Sequence, residues 1–553
     1  MELNTSSSKK RYTSLIIFVL LSLLILQAVS SLLIKSPTYD EPNNIAAGYL
    51  AIAKNEYRYG ADHPPLLKYL GAFPLLFLDV GDLDEDYSNL TKKRLFEISI
   101  KFLFQPQHDV DQMVFFGRLP FVFISCLLGI YVFLWAKKLY GETSGLFALT
   151  LYVFSPNILA HSRLINSDLG SSCFIFIACF YFWQYLSSPS FKSLCLTSLF
   201  FGIALVSKFS GLLLFPIFFF FLCAQALTQK EFRLKILLVP RNPENQNINL
   251  ETFFIHICVP LIIVMTVIFF AYGLNFNFLK LYLNGLNELK RIYFENQVPR
   301  LNYLMGYFFR EPSPFFQIVA FLVKTPISTL IFIVLSLLVL RINRDNLLNE
   351  LCILIPITFI FTSSFLDPEH SGVRRFLAMY PFIILFVSRL ANYKNFSNMN
   401  VNQKKITFIG LIVLTTWYVV TSVRVYPDYL TYFNEAVGGP KNGINYLDNA
   451  NIDWGQDLKR LKPYMKEAGI EKIKLMYEGT ADSKYYGIST IPLSKEDREL
   501  GPQSGYFAIS AHYLIRLITI PEAFGFGPGW KTKIYNPMEI IGHTIYIFDF
   551  NSS

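Results

Sequence analysis

Charged side chains are scarce in this chain of 553 residues: 16% are Asp, Glu, Lys or Arg, against 53% hydrophobic. Where they fall is therefore informative. Asp40 and Glu41 follow the first apolar run directly, in Y-D-E-P-N-N-I-A-A-G-Y (39–49), and Asp62, His63 and Lys68 return about one loop later. Another acid, Asp168, opens a later apolar run in N-S-D (166–168). A carboxylate so placed can take a proton from a hydroxyl or orient it. Arg118, Arg163, Lys208, Arg374 and Arg375 stand near the ends of other runs and suit an anionic phosphate. Ionisable groups near lipid are functional candidates by default, because burying them in hydrocarbon is costly. For any single Arg or Lys the plainer alternative is a side chain that snorkels to the interface. One carboxylate with several cations at a membrane surface fits group transfer from a phosphate-linked lipid. His63 precedes two prolines, which impose an extended entry; a substrate contact and a loop histidine bonded to backbone suit it equally. Glu41, His63 and Asp168 could offer oxygen and nitrogen to a divalent metal, but their spacing is no metal motif. No other cofactor is indicated.

These residues must be positioned by membrane helices. A soluble domain carries about 25% charged residues, well above this chain. Apolar runs span roughly 13–34, 113–136, 145–160, 168–186, 193–207, 209–227, 252–274, 315–340, 350–365, 376–391 and 406–425, giving about eleven spans. The first is long enough to cross a bilayer and is expected to be an uncleaved anchor, not a signal peptide. Lys and Arg cluster before 13 and in loops 137–144, 228–250, 341–349 and 392–405, which alternate onto one side. The positive-inside rule makes that side cytoplasmic. It also accounts for the net charge of +9 without nucleic acid. All seven cysteines lie inside apolar runs, so no disulfide framework is expected. The outer side receives 35–112, 161–167, 275–314, 366–375 and everything after about 426. In the first loop, an amphipathic piece near 44–53 and the short apolar piece Leu66 to Leu78 could lie along the interface. Asp79 to Asp86 reads as a solvated turn, and the sequons at Asn89 and Asn395 are short enough to arise by chance. Residues 426–553 turn polar, with strand-like runs at Tyr506 to Ser510 and Thr544 to Phe548 and an amphipathic helix over Asp457 to Glu467. They are expected to form a small α/β extracytoplasmic domain after a membrane domain of residues 1–425.

The ordered motifs D-E-P (40–42), H-P-P-L (63–66), G-R-L-P (117–120), S-P-N-I-L-A-H-S-R (155–163), N-S-D (166–168), S-K-F-S-G (207–211), V-K-T-P (323–326) and H-S-G-V-R-R (370–375) carry a resemblance. So do Y-F-N-E-A-V-G-G-P (432–440) and N-I-D-W-G-Q-D-L (451–458). Together they resemble the bacterial polyprenyl-phosphate-sugar-dependent glycosyltransferases of the protein O-mannosyltransferase and lipid A aminoarabinose transferase superfamily. The resemblance implies the C-type glycosyltransferase architecture and inverting transfer of a monosaccharide outside the cytoplasmic membrane. It implies Asp40 as the catalytic acid, Glu41 as its companion, Asp168 as a second acid and Arg118 beside the donor phosphate. His63 stands where the aminoarabinose enzymes often carry lysine.

The expected partners are a polyprenyl-phosphate-linked sugar, an acceptor hydroxyl on a lipid, protein or glycan, and the bilayer. A transporter or lipid flippase is the alternative, although such a protein would usually place ionisable groups near the bilayer midplane. A non-catalytic assembly partner would be expected to lack Asp40 or Arg118. Asp453-Trp454-Gly455-Gln456-Asp457 is read as a helix start with a packed Trp; an acceptor-binding loop is the second reading.

Overall fold

The computed structural model describes residues 2–80, 92–228, 250–295, 301–311, 313–367, 369–392, 399–533 and 536–551. Both sequons, positions 81–86 of the acidic patch, Lys394 and the basic residues Lys230, Arg233, Lys235 and Arg241 lie outside them.

Every apolar run is helical. Among the described residues, seven helices are long and apolar enough to cross a membrane: Arg11–Leu33, Val110–Tyr140, Ser167–Ser187, Phe209–Thr228, Phe254–Ala271, Leu347–Ser364 and Val401–Val425. The pair Pro314–Lys324 and Ile327–Leu338, bent by 105°, has the length and apolarity of an eighth, either as a broken span or as a re-entrant loop. The remaining runs are shorter: Phe191–Ser207 and Met379–Ala391 are single apolar segments, and one run is split into Glu142–Val153 and Pro156–His161. Prolines set both breaks. Pro156 opens a helix capped by Ser155, and Pro326 turns Thr325 out of helical geometry, to ψ 132°. The architecture is a polytopic helical membrane protein, with helices of unequal reach.

In the first loop, the helix Glu41–Lys54 is buried along Ile45 to Ala51 and does not lie on the interface as expected. Gly48 accounts for this. A Cβ there would stand 2.1 Å from the Lys68 carbonyl oxygen, so only glycine lets this helix touch Leu66–Ala72. The next turn, Phe73–Phe77, leaves both terminal phenylalanines exposed, as an interfacial segment would.

The tail has the expected α/β character. Its sheet runs in the order Lys474–Met476, Tyr506–Ser510, Ile545–Asp549, Glu539–Ile541, the first pair parallel and the others antiparallel. Helix Leu458–Glu467 covers it through Leu458, Leu461 and Met465. The tail is also wedged into the bent span. Lys324 donates to the carbonyls of Leu430 (2.8 Å) and Asn451 (2.5 Å). The Asn434 backbone N–H donates to the Val323 carbonyl at 2.9 Å, and its side-chain amide donates to those of Leu322 and Thr325. Carbonyls released where a membrane helix breaks must find donors within the protein. Here the tail supplies them, and one buried apolar cluster runs from the membrane helices to Tyr429, Phe433 and Trp454.

Candidate active site

Two acids meet at the N-terminal ends of separate helices. Asp40 occupies the N-cap position of Glu41–Lys54, yet its side chain makes no capping bond. It turns instead to Arg374, whose Nη2 donates to Asp40 Oδ2 at 2.9 Å. Asp168 lies in the first turn of Ser167–Ser187, where the helix dipole favours a negative charge. Arg374 Nε donates to Asp168 Oδ2 at 2.8 Å, and Lys208 Nζ donates to Asp168 Oδ1 at 2.5 Å. The chain Lys208–Asp168–Arg374–Asp40 is thus continuous. Its acids differ in access: the Asp168 side chain is 1% exposed and that of Asp40 is 39% exposed. Asp40 is the more accessible carboxylate, and Asp168 bonds both cations.

Glu41 adjoins Asp40 in sequence but faces the other way. It is fully buried and accepts from the Thr38 and Ile165 backbone N–H groups and from Arg118 Nε and Nη2. Burial alone would raise its carboxyl; the Arg118 guanidinium more than reverses that and holds it below the ordinary Glu value. Arg118 spends its other N–H groups on the carbonyls of Leu32, Lys35 and Ser36. All five of its donors are occupied inside the protein, whereas the resemblance implies a place for Arg118 beside the donor phosphate. Arg163, also expected at substrate, is buried beneath the site. Burial lowers its guanidinium to about 10, with Arg118 adding to the shift. Arg375 points away from the acids and pairs with Asp367 (3.0 Å) and Glu369 (2.8 Å).

His63 lies between the two acid-bearing loops. It lines a small pocket with Asn44, Lys68, Ile165, Asn166 and Ser167. Burial pushes its imidazole down to about 3, so it is neutral at ordinary pH. Lys68 is brought down to about 8 by the same cause and donates to the carbonyls of Gly60 and His63. Among the described residues, no group of three or more His, Cys, Asp or Glu side chains is placed to hold a metal ion. Glu41, His63 and Asp168 do not form one.

Two features had no clear sequence signal. Lys35 is buried against Asp428 and Asp457, which lie 393 and 422 residues further along the chain. Trp454 is buried as the packed-Trp reading expects, but its partner is Arg374, whose Cζ lies 3.9 Å from the ring centroid. A lone Trp in a polar D-W-G-Q-D turn, one of five in the chain, was the available clue.

Residues 110–239 match the sequence profile of the family described as dolichyl-phosphate-mannose-protein mannosyltransferase. No curated protein matches the chain. Among solved structures, ArnT from Cupriavidus metallidurans in the apo state is similar over 98% of both chains, with a TM-score of 0.50 and 9% identity. The same protein bound to undecaprenyl phosphate gives a TM-score of 0.47 at 10% identity over 96% of this chain and 97% of that one. Oligosaccharyltransferase AglB from Archaeoglobus fulgidus, in complex with an inhibitory peptide and a dolichol-phosphate, gives 0.39 at 11% identity over 73% and 55%. The profile match covers under a quarter of the chain, and the likeness to ArnT in the apo state shows a similar fold.

Proposed function

We propose that this chain is a membrane glycosyltransferase that moves a monosaccharide from a polyprenyl-phosphate donor to an acceptor hydroxyl at the outer face of the cytoplasmic membrane. The observation that carries the reading is the shared guanidinium: Arg374 bonds Asp40 and Asp168 together, with Lys208 on the far side of Asp168. One accessible carboxylate beside two cations is what single displacement from a phosphate requires. Asp40 takes the proton of the acceptor hydroxyl as its oxygen bonds to the anomeric carbon. The bond from that carbon to the phosphate oxygen breaks, and its electron pair stays with the lipid phosphate. Phosphate leaves without needing protonation, so it needs charge stabilisation, which Lys208 and Arg374 supply at no reorganisation cost. One displacement inverts the anomeric centre. A hydrolase would instead use two carboxylates flanking the bond, whereas here the second acid, Asp168, is 1% exposed and engaged by two cations.

Comparing glycolipids and glycoproteins by mass spectrometry, in cells with and without the protein, tests this reading. A mass increment present only with the protein is expected; its size reports the sugar and its carrier names the acceptor. Identical profiles alongside altered movement of a lipid across the membrane would favour a flippase.

A further inference from the structure

We infer that Trp454 is a positioning residue for the transfer reaction, so that the tail completes the active site. The inference rests on the transferase reading above. Trp454 reaches the site twice. Its ring carries the Arg374 guanidinium at 3.9 Å, and its carbonyl accepts from the Tyr39 backbone N–H at 2.9 Å, one residue before Asp40. The same tryptophan therefore fixes the base and the cation that bonds it.

The turn that holds Trp454 is itself rigid. The Trp454 N–H donates to Gln456 Oε1 at 2.8 Å, and the Gly455 N–H to Asp453 Oδ1 at 3.1 Å. Gly455 has φ +81°, and a Cβ there would stand 2.7 Å from Tyr477 Oη, so this position demands glycine. Tyr477 Oη donates to the Gly455 carbonyl at 2.5 Å, and the Ser36 N–H to that of Gln456 at 3.0 Å. Lys35, bonded to Asp457 at 2.6 Å, ties the end of the first span to the same turn. A long arginine side chain has many rotamers. Stacked on a fixed ring it keeps the one that spans Asp40 and Asp168, and cation–π attraction favours that placement.

The test compares Trp454→Phe with Trp454→Leu in the full-length protein. Leucine fills space without offering a π face, so a merely packed position would tolerate both alike. The initial rate at which the mass increment accumulates, per amount of folded protein in membranes, should stay within about threefold for Trp454→Phe and fall about tenfold for Trp454→Leu. Trp454→Leu should add little further loss in an Arg374→Ala background, because the two act through one contact. A second readout does not depend on turnover. In 5-fluorotryptophan-labelled protein, the ¹⁹F resonance missing from Trp454→Phe should shift in Arg374→Ala. Equal rates for Phe and Leu, or an unmoved resonance, would overturn the inference. The absence of any mass increment with the wild-type protein would instead overturn the transferase reading, leaving the resonance test to decide the stacking.

Discussion

At the residue scale, two adjacent acids have opposite duties. Asp40 is partly exposed and bonded only at one oxygen's edge to Arg374, whereas Glu41 is sealed against Arg118. Breaking a buried pair by removing one partner costs about 3–5 kcal/mol, because the other charge stays buried alone. Glu41→Gln should therefore lower the yield and thermal midpoint of the purified protein, and Glu41→Gln with Arg118→Met should recover much of the loss. Unchanged thermal unfolding of Glu41→Gln would argue against this structural role. His63 gives a pH test. Its folded value of about 3 lies below the unfolded value near 6.5, so the unfolded chain binds the proton first. Stability is lost as pH falls from about 6.5 towards 3, by about 1.4 kcal/mol per unit. His63→Gln should narrow the difference in thermal midpoint between pH 7.5 and 4.5. The motifs made the residue types legible at Asp40, Asp168, Lys208 and Arg374. Partnering was not legible: nothing in G-R-L-P says that Arg118 faces three carbonyls of the loop before it.

At the element scale, the helices follow from apolar length and from Pro and Gly punctuation, and every apolar run became a helix. The burial of Glu41–Lys54 was hidden, because it depends on Gly48 meeting one carbonyl of a helix about twenty residues away. The 105° bend at Thr325-Pro326 departs from the single span expected over 315–340, and no motif indicates that Asn434 of the tail satisfies the freed carbonyls. Asn434→Leu leaves the Leu322 and Thr325 carbonyls without these donors, at about 1–3 kcal/mol per buried group. Faster limited proteolysis of the tail and a lower thermal midpoint are expected. Wild-type resistance to protease would place the anchor of the tail elsewhere.

At the scale of the whole molecule, every group of the candidate site comes from a loop or helix end that the charge rule assigns to one side. The tail belongs to that side because Trp454 and Gln456 bond the segment 36–39 directly. Single cysteines introduced in a cysteine-free background test the sidedness. Cysteine at Glu496, on the exposed tail, should react with a membrane-impermeant maleimide in intact cells, and cysteine at Arg344 only after permeabilisation. The reverse pattern would invert the proposed topology. The alternation of short basic loops gives this layout as an expectation that the labelling decides, while the continuity of membrane and tail cores did not follow from a composition change at Tyr426.

The central claim is that Asp40 is the base of a sugar transfer driven by departure of a lipid phosphate. Its most direct test is the rate of transfer by purified wild-type protein and Asp40→Asn in proteoliposomes, with the polyprenyl-phosphate donor carrying the sugar identified by mass difference. Asn keeps the size of Asp and can still accept from Arg374, but cannot take the acceptor proton. The account predicts that Asp40→Asn folds, binds the donor and loses transfer by at least about a hundredfold, the usual worth of a positioned base. Transfer at the wild-type rate would contradict it.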